Sequence, residues 1–86
     1  MKAKAENAIV VELLSRSCNE GFARNAAALF AAQLDPTLDE LGDVKTAVSE
    51  AVTNAIVHAY PEELGRIRMK LRLYPGRVLE ITVQDW

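Results

Sequence analysis

Apolar residues along this chain change their period twice, and each change marks an element. Ile9 to Leu14 (Ile-Val-Val-Glu-Leu-Leu) is short and rich in β-branched residues, which predicts a first strand. Ser17-Cys18-Asn19-Glu20 has the form of a capping box, so a first helix is expected to start there and run to about Gln33. Phe22, Ala26, Leu29, Phe30 and Leu34 recur at helical spacing and are expected on its buried side. Leu34-Asp35-Pro36 interrupts the helix, because proline disfavours helical geometry in the residue before it. Thr37-Leu38-Asp39-Glu40 is a second capping box, and its acidic residues suit the positive end of a helix dipole. The second helix is expected from Leu38 to about Ala59, roughly 33 Å long, and to stop at Tyr60-Pro61. Leu41, Val44, Val48, Ala51, Val52, Ala55 and Ala59 form its apolar stripe.

The period then falls to two. Ile67, Met69, Leu71 and Leu73 alternate with Arg66, Arg68, Lys70 and Arg72, and Leu79, Ile81 and Val83 alternate with Glu80, Thr82 and Gln84. Tyr74-Pro75-Gly76-Arg77 is a turn signal between two strands. A two-residue loop would set Leu73 against Val78 and put unlike faces together. Pairing Leu73 with Leu79 and Leu71 with Ile81 keeps apolar with apolar, which predicts an odd-length loop such as Pro75-Gly76-Arg77 with a bulge. Arg72 then faces Glu80 as a cross-strand pair of opposite charge. The order strand, helix, helix, strand, strand, with an antiparallel hairpin at the C-terminal end, predicts a two-layer α+β sandwich in which the helices cover one face of the sheet.

Composition narrows the picture. With 86 residues, 50% hydrophobic and 26% charged, residues 1–86 are expected to be one small domain or a piece of one. Such a chain buries only roughly 60–65% of its unfolded surface, so marginal stability is expected. A net charge of −2 points away from direct nucleic-acid binding. The absence of an apolar run near the ~18–20 residues of a membrane span, and of a signal-peptide core after Lys2 and Lys4, predicts a cytoplasmic protein. Cys18 and His58 are each the sole residue of their type, which excludes an internal disulfide and a multi-histidine zinc site.

The second helix carries the candidate chemistry. Glu50, Asn54 and His58 are four residues apart, and successive positions at that spacing sit about 40° apart round an α-helix, so all three are expected on one face. A carboxylate there can accept a proton from an attacking hydroxyl. An amide oxygen is a hard neutral ligand suited to Mg²⁺. The spacing by itself equally describes a solvated helix face. His58, at the helix end, is expected to compensate the dipole rather than act in chemistry.

The residues around that pair say more. The stretch SEAVTNAIVHAY, Ser49 to Tyr60, resembles the N-box of the ATPase superfamily shared by sensor histidine kinases, DNA gyrase, heat-shock ATPases and mismatch-repair proteins. From about Phe22 to Tyr60, including the connection QLDPTLDEL, the chain resembles the anti-sigma serine kinases within it, in their sporulation anti-sigma-F branch. The resemblance implies a histidine-kinase-like ATPase fold, ATP and Mg²⁺ as cofactors, and a serine kinase acting on an anti-anti-sigma factor. It also implies a sigma factor as the sequestered partner and a homodimer. It gives Glu50 the role of polarising the attacking serine hydroxyl and Asn54 that of Mg²⁺ ligand beside the ATP phosphates. Arg24 matches an arginine that contacts both protein partners, a role suited to its planar fork of donors. Asp85 matches the aspartate that binds the adenine amino group, and its parity puts it on the face of Leu79, Ile81 and Val83; a solvated terminal Asp is the alternative.

The glycine motifs and phosphate lid of the family do not follow Asp85 in this sequence, and Trp86 would lie near the adenine position. These 86 residues are therefore expected to be the N-terminal portion of an incomplete ATPase fold, with half of an ATP site and weak or no activity by themselves. Two other readings remain: a non-catalytic module that docks a sigma factor or a second subunit through the first helix, and the ATPase domain of a sensor histidine kinase. The QLDPTLDEL connection and the lack of an upstream phosphoacceptor helix count against the latter.

Overall fold

The computed structural model describes residues 4–59 and 62–85. The predicted stop at Tyr60-Pro61, the Trp86 position and the side chain of Ala59 lie outside the described residues. Strand β1 spans Asn7–Leu14, helix α1 Cys18–Ala31, helix α2 Leu38–Asn54, strand β2 Arg66–Tyr74 and strand β3 Val78–Asp85. A 3₁₀ turn, Ala32–Leu34, extends α1, and a π turn, Ala55–Ala59, extends α2. The strands form one antiparallel sheet in the order β1-β2-β3, and both helices pack on one of its faces. This is the two-layer α+β sandwich expected from the order of elements.

The hairpin has the register that parity requires. Leu73 pairs with Leu79, Leu71 with Ile81 and Arg72 with Glu80, whose side chains form an ion pair at 3.6 Å. Tyr74 pairs with Val78, which leaves the three-residue loop Pro75-Gly76-Arg77. Gly76 (φ 86°) sits where a type II turn needs positive φ, with Pro75 before it, and Arg77 (φ 60°) is also left-handed. The inward row Ile67, Met69, Leu71 and Leu73 of the central strand is buried, meeting Leu13 of β1, Ala23, Ala27 and Phe30 of α1, and Val48 and Val52 of α2. Full burial of side chains of this size stabilises by about 1.5–3 kcal/mol each. At the open end of the first ladder, Ser15 and Gly65 close the backbone. The Ser15 N–H donates to the Gly65 carbonyl at 3.0 Å, and the Gly65 N–H donates to Ser15 Oγ at 2.8 Å.

Three local expectations are corrected. β1 begins at Asn7, two residues before the β-branched run. The Ser17 capping box does not form: Ser17 has helical rather than extended geometry (φ −58°, ψ −31°) and its side chain caps nothing, while the Glu20 carboxylate, the other half of such a box, is engaged elsewhere. The buried side of α1 is also rotated from the expected one. Phe22 and Leu29 are 59% and 77% exposed, while Ala23 and Ala27 are fully buried with Phe30. Apolar residues lie almost all round this helix, so periodicity could not single out a face. The small alanines win because they allow close approach to α2 and the sheet.

The Thr37 capping box forms as expected. Glu40 N–H donates to Thr37 Oγ1 at 3.1 Å and Thr37 N–H donates to the Glu40 carboxylate at 2.9 Å. Arg77, on the hairpin loop, adds an ion pair to Glu40 at 3.7 Å and a hydrogen bond to the Leu34 carbonyl at 3.2 Å. The Thr37 backbone N–H, then the Thr37 side chain, and to a lesser degree Arg77, hold the Glu40 carboxyl below its ordinary value. A lowered native pKa stabilises fully above the unfolded value, and that stabilisation is lost as pH falls through the lowered native one. Thr37→Ala is expected to cost about 1 kcal/mol in urea unfolding at neutral pH. Glu40→Gln is expected to lose less of its urea midpoint than the wild type between neutral pH and about pH 3. An equal acid-induced drop in both proteins would contradict the assignment.

Candidate functional site

The site lies on the last turns of α2. Val48 and Val52 are buried in the core and fix the rotation of the helix, so that Glu50 and Asn54 point away from the sheet and are exposed. They share an open groove of about 300 Å³ with Ser49 and Thr53. A second groove of about 250 Å³ between the two helices is lined by Arg24 of α1 and by Lys45, Thr46, Ser49 and Glu50 of α2. Ser49 and Glu50 line both, so Arg24 stands next to the Glu50–Asn54 face across one turn of helix.

His58 departs from its expected place. The helix leaves α geometry after Asn54, and the wider π turn rotates the residues that follow back from the α-helical progression. His58 is exposed in the last turn and lines neither groove. Asp85 lies at the end of β3, opposite Ile67 and on the face of Leu79, Ile81 and Val83, as parity requires. It is exposed and lines neither of these two grooves.

Two further residues belong to this region. Arg24 Nη1 donates to both carboxylate oxygens of Glu20, at 3.1 and 3.2 Å, and Ser49 Oγ donates to Glu20 Oε1. One carboxylate of α1 therefore holds the arginine on its own helix and a hydroxyl on α2. The four-residue spacing of Glu20 and Arg24 is a helix ion-pair signal. Nothing in the local pattern announces Ser49, which is 29 residues away from Glu20.

Two helices pack on one side of a three-stranded antiparallel sheet, and the second of them presents Glu50 and Asn54 together in an open groove. A family model described as a histidine kinase-like ATPase domain matches residues 12–86. The chain belongs to that family. Among curated proteins it is similar to anti-sigma F factors. It is 56% identical over 79 residues to the one from Clostridium botulinum strain Eklund 17B, covering 90% of this chain and 55% of that protein. For Thermoanaerobacter pseudethanolicus the identity is 56% over 79 residues, covering 92% and 54%. For Clostridium kluyveri strain NBRC 12016 it is 51% over 80 residues, covering 93% and 56%. The chain spans about half the length of the curated relatives it matches.

Proposed function

We propose that the protein containing this chain is a cytoplasmic anti-sigma factor and ATP-dependent serine kinase, which sequesters a sporulation sigma factor and phosphorylates a serine of an anti-anti-sigma factor. The observation that carries the reading is the shared groove of Glu50 and Asn54, which has Ser49 and Glu50 in common with the groove lined by Arg24. Similarity to anti-sigma F factors along nine-tenths of the chain supports it. Glu50 accepts the proton of the attacking serine hydroxyl, for which an exposed carboxylate in an open groove is suited. Asn54 presents an amide oxygen in the same groove, a donor that fits Mg²⁺, since that ion keeps several waters and takes phosphate oxygens as further ligands. When bound, Mg²⁺ would neutralise charge on the phosphates of ATP. Asp85 is the proposed contact for the adenine amino group.

Arg24 receives an acidic group of each protein partner. Its Nη1 is engaged with Glu20, and Nε and Nη2 make no hydrogen bond among the described residues, which leaves two donors for an incoming carboxylate. The test is incubation of the protein at its full natural length with ATP, Mg²⁺ and an anti-anti-sigma factor, followed by mass spectrometry for phosphoserine. Absence of transfer would overturn the kinase reading. Arg24→Ala is expected to weaken pull-down of both the sigma and the anti-anti-sigma factor at least tenfold while nucleotide affinity stays within about twofold, the ratio expected when a charge-assisted pair is lost. Unchanged pull-down of both partners would remove Arg24 from the interface.

The exposed Phe22 and Leu29 on α1 favour a second reading, a non-catalytic module that binds a sigma factor or forms a homodimer through this helix. The same incubation separates the two: partner binding without phosphate transfer selects the module.

A further inference from the structure

We propose that Glu20 and Ser49 are positioning residues, a tie between α1 and α2 that holds a partner seated on Arg24 in register with Glu50. The inference rests on the kinase reading above. Glu20 stands between the two functions. Both of its carboxylate oxygens accept from Arg24 Nη1, and Oε1 also accepts from Ser49 Oγ. Its side chain is 20% exposed and that of Arg24 39%, so the pair is partly shielded from water and still within reach of a partner. Ser49 is half-buried and directly precedes Glu50 in the same helical turn. The groove beside Arg24 and the groove beside Asn54 meet at these two residues.

The consequence is geometric. A partner docked on Arg24 is anchored to α1, whereas the base that must reach its serine is carried by α2. In-line transfer requires the hydroxyl and the base to stay in hydrogen-bond reach, and a displacement of ~1 Å can cost on the order of 10²-fold in rate. The packing beneath is apolar, with Ala23, Ala27 and Phe30 of α1 and Val48 and Val52 of α2 in one core, and apolar contacts carry no directional bond. The Glu20–Ser49 bond supplies one at the level of the site. The two ends of the tie are then separable. Loss of the Ser49 hydroxyl releases α2 and leaves Arg24 held by Glu20. Loss of the Glu20 charge loosens Arg24 and leaves an acceptor for Ser49.

The test compares Ser49→Ala, Ser49→Thr and Glu20→Gln in the protein at its full natural length, with phosphorylation of an anti-anti-sigma factor measured across partner concentrations. Ser49→Ala is expected to lower kcat roughly tenfold, with KM for the partner and ATP affinity within about twofold. Ser49→Thr, which restores a hydroxyl, is expected to recover most of kcat. Glu20→Gln is expected to show the opposite split, a KM raised severalfold with kcat largely kept. Circular dichroism checks that each variant is folded, and a Ser49→Ala protein that fails to fold leaves the Ser49→Thr and Glu20→Gln arms to decide. The proposal is overturned if kcat is unchanged in Ser49→Ala, if threonine does not rescue, or if Glu20→Gln lowers kcat with KM unmoved. A wild-type protein that transfers no phosphate overturns the kinase reading itself and this inference with it, so the two failures are distinguishable.

Discussion

Replacing Glu50 by glutamine is expected to lower serine phosphorylation by about 10²–10⁴-fold, the usual contribution of a positioned general base. The substitution is nearly isosteric, and Glu50 is exposed and makes no described contact with the core, so the fold should be untouched. An amide in that place keeps an acceptor oxygen but cannot hold the proton of the serine hydroxyl. ATP affinity should therefore stay within about threefold. Asn54→Ala should do the reverse, weakening Mg²⁺-dependent nucleotide binding about tenfold or more, since a single oxygen donor in an otherwise water-coordinated shell is lost. Calorimetry of ATP binding with and without Mg²⁺, beside a phosphotransfer assay, separates the two effects. If each mutant lost binding and transfer in equal proportion while keeping its circular dichroism spectrum, the assignment of base and metal ligand to these two positions would be wrong.

Leu71→Ala is expected to have the largest effect on stability. Leu71 is fully buried at the centre of the middle strand, paired with Ile9 on one side and Ile81 on the other. Truncating a leucine in such a position costs about 2–5 kcal/mol from lost transfer energy and the cavity left behind. At the usual stability per residue, 86 residues account for a total of only about 4–13 kcal/mol. The urea midpoint should fall by about 1–3 M, or the native state should be lost altogether. Leu29→Ala on α1 serves as the comparison, because Leu29 is 77% exposed and its truncation should cost little. Equal costs for the two substitutions would contradict the placement of the core.

The hairpin register, the Thr37 cap and the common face of Glu50 and Asn54 were all legible in the residues themselves. Each rests on neighbours close in the chain: alternation of Leu71, Leu73, Leu79 and Ile81 across a short loop, a threonine and a glutamate three apart, or two residues one helical turn apart. The Ser17–Glu20 pattern shows where this kind of reasoning fails. It has the same form as the Thr37–Glu40 box, yet Glu20 bonds Arg24 and Ser49 instead of capping the helix. A carboxylate takes the partners that the packed structure offers, and one of those lies on the other helix. The buried face of α1 differs from the expected one for a related reason. Weighting Phe22 and Leu29 by their size points outward, whereas the packing favours Ala23 and Ala27, where two helices and a sheet come close together.

By itself, then, the sequence determined the order of elements, the strand pairing within the hairpin and the helix that bears Glu50 and Asn54, because these follow from periodicity and short-range hydrogen bonding. Tertiary structure alone decided which side of α1 is buried, that Glu20 joins Arg24 to Ser49, and that Arg24 borders the groove of Glu50. It also decided the π turn after Asn54, which takes His58 out of the α-helical progression. Such choices lie between partners of nearly equal local merit, and the packing of segments distant in the chain breaks the tie.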